Sequence, residues 1–350
     1  MKILIIKLTS MGDIIQCFPA ITLLKETKPN CEIHWLCDEE FSEIPQLHPA
    51  VKKVHTLAIR KFKKQKKTIF QTWKQIKSEC QKLNAEKFTD IIDLQSLIKS
   101  SVLLPFIKGN SHGHNRKSCI EPLASLFYKK KYYINYPPKN TNLSHRSTKL
   151  IEKIYNLEKI NKASYPNFGL ITQTIKRNKK EVILHFGTTW ITKHWPDKHW
   201  AEIIKYLNDE RWNIHLSWYG ERELNRCKKF QKNYPKCNLL HKKNHPNIAS
   251  SIKDKIENIK NCSLMISVDT GIAHLANALK TPCMILYGPS TFLYSAALGQ
   301  YTKTIKSPQA CHKNCKKNKC YLNLNSALCM KKISPESIIN EIKKLKFNTQ

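Results

Sequence analysis

Eight short apolar runs, spaced by longer helical stretches and divided into two groups of four, constrain this chain most. In the first half KILIIKL (2–8), EIHWLC (32–37), VHTLAI (54–59) and FTDIIDL (88–94) read as strands. In the second half EVILHFG (181–187), NIHLSWYG (213–220), LMISVD (264–269) and CMILYG (283–288) do the same. Helical patterns lie between them: one runs through about residue 27, SSVLLPFI (100–107) is helix-like, and PDKHWAEIIKYLND (196–209) and GIAHLANAL (271–279) follow in the second half. Strands alternating with helices imply parallel βαβ units. Pro19 falls inside the first helical pattern and is expected to kink that helix or end its first turn.

A length of 350 residues suits two domains rather than one core. The Asn-, Pro- and Lys-rich stretch 134–180, interrupted by a helix near 148–157, reads as their connection. The expected division is an α/β domain over 1–165, a second over 166–330, and a C-terminal helix in 331–350 packing back on the N-terminal domain. That helix, SPESIINEIKKLKF (334–347), opens with a near capping box at Ser334, Glu336 and Ser337.

Lys and Arg number 60 against 26 Asp and Glu, a formal charge of +34. Such a charge attracts polyanions: nucleic acid, an anionic membrane surface or a phosphorylated substrate. Lys, Asn and Ile abundant throughout also fit compositional drift. No segment reaches the roughly 18–20 apolar residues of a membrane span. The N-terminal ILII is followed at once by Lys7, which speaks against a signal peptide. A cytoplasmic protein with its 13 cysteines reduced is expected, the nine from Cys17 to Cys283 serving as small core residues.

Three segments could carry chemistry. In TSMGDIIQCFPA (9–20), Asp13 follows a glycine where the first strand gives way to a helix. It could be a cap, or a reactive carboxylate at the sheet edge where open α/β folds bind ligands. In SVDTGIAHLANALKTPCMILYGPS (267–290), a strand ends at Asp269 and Thr270-Gly271 open a helix, with His274 one turn in. Backbone N–H groups at such a point suit phosphate. In HFGTTWITKHWPDKHW (185–200), Thr188, Thr189 and Lys193 precede a helix and make a diphosphate cradle without the spacing of a P-loop. Trp195 and Trp200 are expected in the core, and His194 could be either core or site.

Together these motifs resemble the signatures of the ADP-heptose:lipopolysaccharide heptosyltransferases. Asp269-Thr270-Gly271 with His274 and the following YGPS is similar to the C-terminal signature, and TSMGDIIQCFPA to the N-terminal one. TTWITKHWPDKHW and EPLASLFYKKKYYI (121–134) are similar to segments of the type I members. The resemblance runs from residue 1 to about 290. It implies a GT-B glycosyltransferase fold, with two Rossmann-like parallel-sheet domains facing a cleft. It also implies inverting transfer of L-glycero-D-manno-heptose from ADP-heptose to the first Kdo of Kdo2-lipid A. Inversion needs a single displacement, hence a general base for the acceptor hydroxyl and stabilisation of the departing ADP. No metal or other cofactor is implied.

Carried onto this sequence, the resemblance makes Asp13 the catalytic base and Lys193 the lysine at the departing diphosphate. Thr188, Thr189, Thr270, Gly271 and His274 become donor contacts, with Asp269 near the donor sugar. Glu221 or Glu223, with Glu223 favoured, would hold the ribose. Ser10, Gly12, Arg60, Lys61, Lys64, Arg116 and Lys117 fall to the acceptor; the last two lie close to Ile120, which stands where the family carries an arginine. The implied setting is a monomer, peripheral on the anionic cytoplasmic face of an inner membrane.

Cys311, Cys315, Cys320 and Cys329 (C-x3-C-x4-C-x8-C) depart from paired CxxC spacing and look more like type II or III members. They leave a structural metal, a disulfide or neither open. A type II or III enzyme acting on a heptosylated core is the near alternative. A basic nucleic-acid-binding protein is a distant one, since no nucleic-acid module is present.

Overall fold

The computed structural model describes residues 1–58, 69–135, 141–157, 165–170, 177, 180–242, 245–290, 292–309, 315, 319–321 and 327–345. The chain divides into two compact units, Met1–Leu170 with Leu293–Ser295, and Ile171–Phe292 with Ala296–Gln350. The expected boundary lay at 165/166.

The first unit is built on six strands, β1 (Lys2–Ile6), β2 (Glu32–Asp38), β3 (Val51–Leu57), β4 (Asp90–Asp93), β5 (Asn110–His114) and β6 (Lys130–Tyr132). They are all parallel, in the order β3-β2-β1-β4-β5-β6. Ile3–Ile6 are completely buried, as a central parallel strand covered on both faces requires. Helices α1 (Met11–Gln16), α2 (Phe18–Thr27), α3 (Ile69–Lys82), α4 (Ile98–Ser101) and α5 (Leu143–Tyr155) connect or flank them.

Pro19 does what its ring dictates. The first helical pattern breaks at Cys17, and Pro19 sits in the first turn of α2, where no N–H is needed. The helix-like SSVLLPFI is mostly not α-helical: only α4 and a 3-10 turn at Leu104–Phe106 form, because Pro105 disfavours helical backbone before it.

The second unit repeats the plan with β7 (Glu181–His185), β8 (Asn213–Ser217), β9 (Asn238–Leu239), β12 (Leu264–Val268), β13 (Cys283–Tyr287) and β14 (Thr302–Lys306), in the order β14-β13-β12-β7-β8-β9. A two-stranded ribbon of β10 (His241–Lys242) and β11 (His245–Ala249) lies apart. The helices that follow along the chain are α6 (Asp197–Asp209), α7 (Glu221–Asn233), α8 (Ile252–Asn261), α9 (Gly271–Ala278), α10 (Phe292–Ser295), α11 (Leu328–Lys331) and α12 (Pro335–Lys344); Leu293–Ser295 of α10 belong to the first unit. Renumbered within its unit, each sheet has the order 3-2-1-4-5-6, the doubly wound arrangement of nucleotide-binding folds.

The last helix is placed differently from expectation. Ile338 and Ile342, one turn apart on α12, enter the second unit's core with Ile333, Met330, Trp200 and Ile203. Trp195 Nε1 donates to the Ile333 carbonyl at 2.9 Å and fixes the segment that leads into it. The helix therefore packs on the C-terminal unit. Its N-cap is a Ser pair: Ser334 Oγ accepts from Ser337 N at 3.3 Å, and Glu336 takes no part in a box. The nine cysteines from Cys17 to Cys283 are all buried and free.

Trp195 and Trp200 are 1% and 0% exposed, their rings edge-on with centroids 5.0 Å apart. Trp200→Ala should destabilise the second unit by about 3–5 kcal/mol, read as a lower urea midpoint. A loss below about 1 kcal/mol would remove Trp200 as the centre of that core.

Candidate active site

In an open parallel sheet, ligands bind beyond the carboxyl ends of the strands, where the strand order reverses. In the first unit that point lies between β1 and β4. In the second it lies between β7 and β12. The two points are formed by Lys7–Asp13 with Asp93–Ser96, and by Phe186–Lys193 with Asp269–Gly271.

At the first point Ser10 is the N-cap of α1 and Asp13 its third residue, forming a capping box. Ser10 N donates to Asp13 Oδ2 at 3.4 Å, long for such a bond, and the carboxylate is only half-buried. Gly12 is buried beside it. The loop before them is fixed from β4: Gln95 Oε1 accepts from Leu8 N at 3.0 Å and Thr9 N at 3.2 Å. Asp93 is completely buried and accepts from Tyr128 OH (2.8 Å), Ser100 Oγ (2.9 Å) and Gln95 N (2.8 Å). Burial dominates and raises its pKa.

Lys7 is also fully buried, and its Nζ makes no hydrogen bond among the described residues. Burial opposes its charge, but the Tyr294 phenol, Asp13, Cys17 and Asp93 outweigh that effect and raise its pKa. Sequence reading missed Lys7, Asp93 and Gln95. The available signal was their position at the carboxyl ends of the two central strands.

At the second point Lys193 Nζ donates to Asp269 Oδ2 at 2.6 Å. Asp269 is 4% exposed, accepts from Ser290 Oγ, and has His274 Nε2 at 3.6 Å from Oδ1. Burial works against ionisation of Asp269, yet His274 and Lys193 together hold its carboxyl well below the usual range. The structure thus brings Lys193, Asp269 and His274 into one cluster, beside Thr270-Gly271 at the start of α9. Thr270 is the N-cap, but its hydroxyl caps no N–H. The first N–H groups of α9 have no intrahelical acceptor. Thr188 is half-buried and Thr189 exposed on the loop after β7.

That loop is clamped by a residue sequence reading overlooked. Arg226, on α7, donates to the carbonyls of Phe186 (3.1 Å) and Trp195 (3.0 Å) and to Asp197 Oδ1 (2.7 Å). His194 Nδ1 lies 3.1 Å from the same guanidinium, which makes His194 part of the clamp. Glu223 lies against the loop, whereas Glu221 is exposed. A Cβ on Gly187 would come 2.0 Å from Glu223 Oε1, so only glycine admits this approach. Glu223 Oε2 accepts from Tyr219 N at 2.7 Å, and burial raises the Glu223 pKa.

Of the acceptor candidates, Arg60, Lys61 and Lys64 lie outside the described residues. Arg116 and Lys117 are exposed on a turn after β5, where Asn115 Oδ1 accepts from Lys117 N at 3.1 Å. Of the tail cysteines, Cys311 lies outside the described residues, Cys315 and Cys320 are half-buried, and Cys329 is in the second core. Among the described residues His34, His55 and Glu86 bring three potential ligand atoms within 4.8 Å of one another. Lys2 and Lys53 already supply the counter-charge to Glu86.

Paired doubly wound units, one with a Lys–Asp–His cluster at a helix N-terminus and the other with a half-exposed carboxylate in the first turn of a helix, fit the class of nucleotide-sugar glycosyltransferases. Glycosyltransferase family 9 (heptosyltransferase) matches residues 76–325, and the chain belongs to this family. Lipopolysaccharide heptosyltransferase 1 of Escherichia coli K12 is 31% identical over 95% of this chain and 99% of its own. Its namesake from Pseudomonas aeruginosa is 28% identical over 98% and 97%. The E. coli heptosyltransferase WaaC, solved with ADP and with ADP-2-deoxy-2-fluoro heptose, superposes with a TM-score of 0.80 at 26% identity, covering 98% of this chain and 99% of that one.

Lys193→Met should cost stability on the order of 3 kcal/mol at neutral pH, because Asp269 stays buried without its nearest cation. The native Asp269 pKa is depressed, so its contribution is present above the unfolded pKa of roughly 3.9 and is lost as pH falls further. In Lys193→Met the carboxyl pKa rises and the contribution fades at higher pH. Thermal unfolding of both proteins across the acid range should show the difference narrowing toward low pH. A constant difference would mean that Lys193 acts by packing alone.

Proposed function

We propose that the chain transfers L-glycero-D-manno-heptose, with inversion, from ADP-heptose to Kdo of Kdo2-lipid A, working as a monomer on the cytoplasmic face of the inner membrane. The observation that carries the donor half of this reading is the Lys193–Asp269–His274 cluster at the N-terminus of α9. A departing diphosphate needs positive charge that is already in place, since such preorganised groups do not have to reorganise during the reaction. Asp269 holds the Lys193 ammonium in a fixed position, and the free N–H groups of α9 add the helix dipole. Thr188, Thr189 and Thr270 supply hydroxyls to the phosphates. The buried His274 Nδ1 has no partner among the described residues and is left for the ligand. Glu223, packed on Gly187, takes the ribose hydroxyls.

The acceptor half rests on Asp13. Its single long contact to Ser10 N leaves lone pairs for the proton of an incoming hydroxyl. Lys7 lies beneath it as a fixed positive charge. Ser10 and Gly12 line the approach, and Arg116, Lys117, Arg60, Lys61 and Lys64 take the acceptor's carboxylates and phosphates.

The first test is transfer with ADP-heptose and Kdo2-lipid A. Turnover only with an already heptosylated core would move the chain to type II. Asp13→Ala should lower kcat by about 10²–10⁴-fold, with the KM for ADP-heptose within a few-fold of wild type. Near-wild-type turnover would sink Asp13 as the base. Gly187→Ala should keep its Tm yet weaken ADP binding by about tenfold in calorimetry, because the new methyl displaces Glu223. Unchanged affinity would separate Glu223 from the nucleotide.

A further inference from the structure

The segment Pro122–Phe127 is a 3-10 helix whose amphipathicity is reversed. Ala124 and Ser125 are buried, while Leu123 and Leu126 are 58% and 69% exposed. A 3-10 helix has three residues per turn, so residues i and i+3 stand one above the other. The two leucines therefore form one apolar ridge directed at solvent. Single exposed leucines need no explanation, but a stacked pair on a short rigid element serves no core of this unit.

The ridge borders an open concavity of about 620 Å³ whose lining includes Leu126, Arg116, Lys117, Lys131 and Tyr133. Tyr133 is 53% exposed, and the three cations are exposed as well. The neighbouring acid, Glu121, has Oε2 committed to Ile98 N at 2.7 Å. Lysines on β6 would by themselves be ordinary protection of an edge strand. That account leaves the leucines and the aromatic ring unexplained. Leucines flanked by cations and a half-wet tyrosine are the composition of a surface that settles into the headgroup region of an anionic bilayer.

We propose that this face, comprising the Leu123–Leu126 ridge, Lys131, Tyr133 and the Arg116–Lys117 turn, is the surface by which the first unit docks on an anionic membrane. The proposal rests on the reading that the acceptor is embedded in a bilayer. Arg116 and Lys117 leave β5 at its carboxyl end, the same edge of the parallel sheet from which Asp13 follows β1. Docking there presents the base-bearing edge of the first unit to the membrane, where the sugar acceptor stands above the lipid. The ridge supplies apolar insertion, and the cations supply the preference for negative charge.

The test uses the full chain with vesicles of phosphatidylethanolamine containing phosphatidylglycerol, and with neutral phosphatidylcholine vesicles. Wild type should sediment with the anionic vesicles, less so as salt is raised, and weakly with the neutral ones. The Leu123→Ser/Leu126→Ser variant, which adds no charge beside Arg116 and Lys117, should partition at least about tenfold more weakly. Its transfer rate should fall with bilayer-embedded Kdo2-lipid A and stay unchanged with a de-acylated, water-soluble acceptor. Unchanged partitioning of the variant would overturn the docking surface, as would equal loss of rate with both acceptors. If wild type transfers to neither acceptor while the variant still loses vesicle binding, the proposed activity falls and the docking surface stands.

Discussion

The second unit's site depends on keeping one buried carboxylate charged. Asp269 directly follows the central strand β12, 4% exposed, where an isolated charge would be costly. Its survival as an anion rests on Lys193, His274 and Ser290 converging on its two oxygens. Each of those groups is thereby located. Lys193 comes from the loop after β7, His274 from one turn inside α9 and Ser290 from the loop after β13. One charge therefore ties three βα connections into a rigid arrangement. Burying an ion pair gains little stability by itself. The return is geometric: the lysine and histidine are fixed in place before any ligand arrives.

Arg226 makes the same point from outside the cluster. It binds two carbonyls of the loop after β7 and the first-turn Asp197 of α6, so the loop that carries Thr188 and Lys193 is held at both ends. Glu223 then closes on Gly187 where a side chain would block it. The first unit uses the corresponding device. Gln95, after β4, holds the backbone after β1 through two N–H groups, and Asp93 is saturated by four donors that shape the next turn. The brace comes from the segment after β4 in the first unit and from α7 in the second.

Much of this was legible in the sequence because its signals are local. Buried parallel strands are continuous apolar runs, so KILIIKL and LMISVD announced the central strands, and glycine or threonine after them marked the ligand edge. Asp13, Lys193, Asp269, Thr270 and His274 could be picked out for that reason, together with the resemblance that their motifs carry. What was not legible depends on long-range packing. Nothing local says that Ile338 and Ile342 meet α6, and the helix was assigned to the wrong unit. Gln95 and Arg226 act on backbone atoms 86 and 40 residues away. Lys7 reads as a polar interruption of a strand until the fold shows that it is enclosed.

The charge of +34 divides by environment in the same way. The acids Asp93 and Asp269 are turned inward and held by several donors each, and Glu223 is packed against Gly187 with one donor, Tyr219 N. Their negative charge orders loops and does not offset the basic surface. Cations such as Arg116, Lys117 and Lys131 stand exposed, and no acid is among the described residues that line their concavity. The second unit thus holds a lysine in place with an internal carboxylate, whereas the first unit's concavity presents its cations to solvent. Asp13 stands apart from both patterns. It is an acid in the first turn of a short helix, bound by one long hydrogen bond, and half-open to solvent. The box contact orients the carboxylate, and its length means that the oxygens are only weakly held.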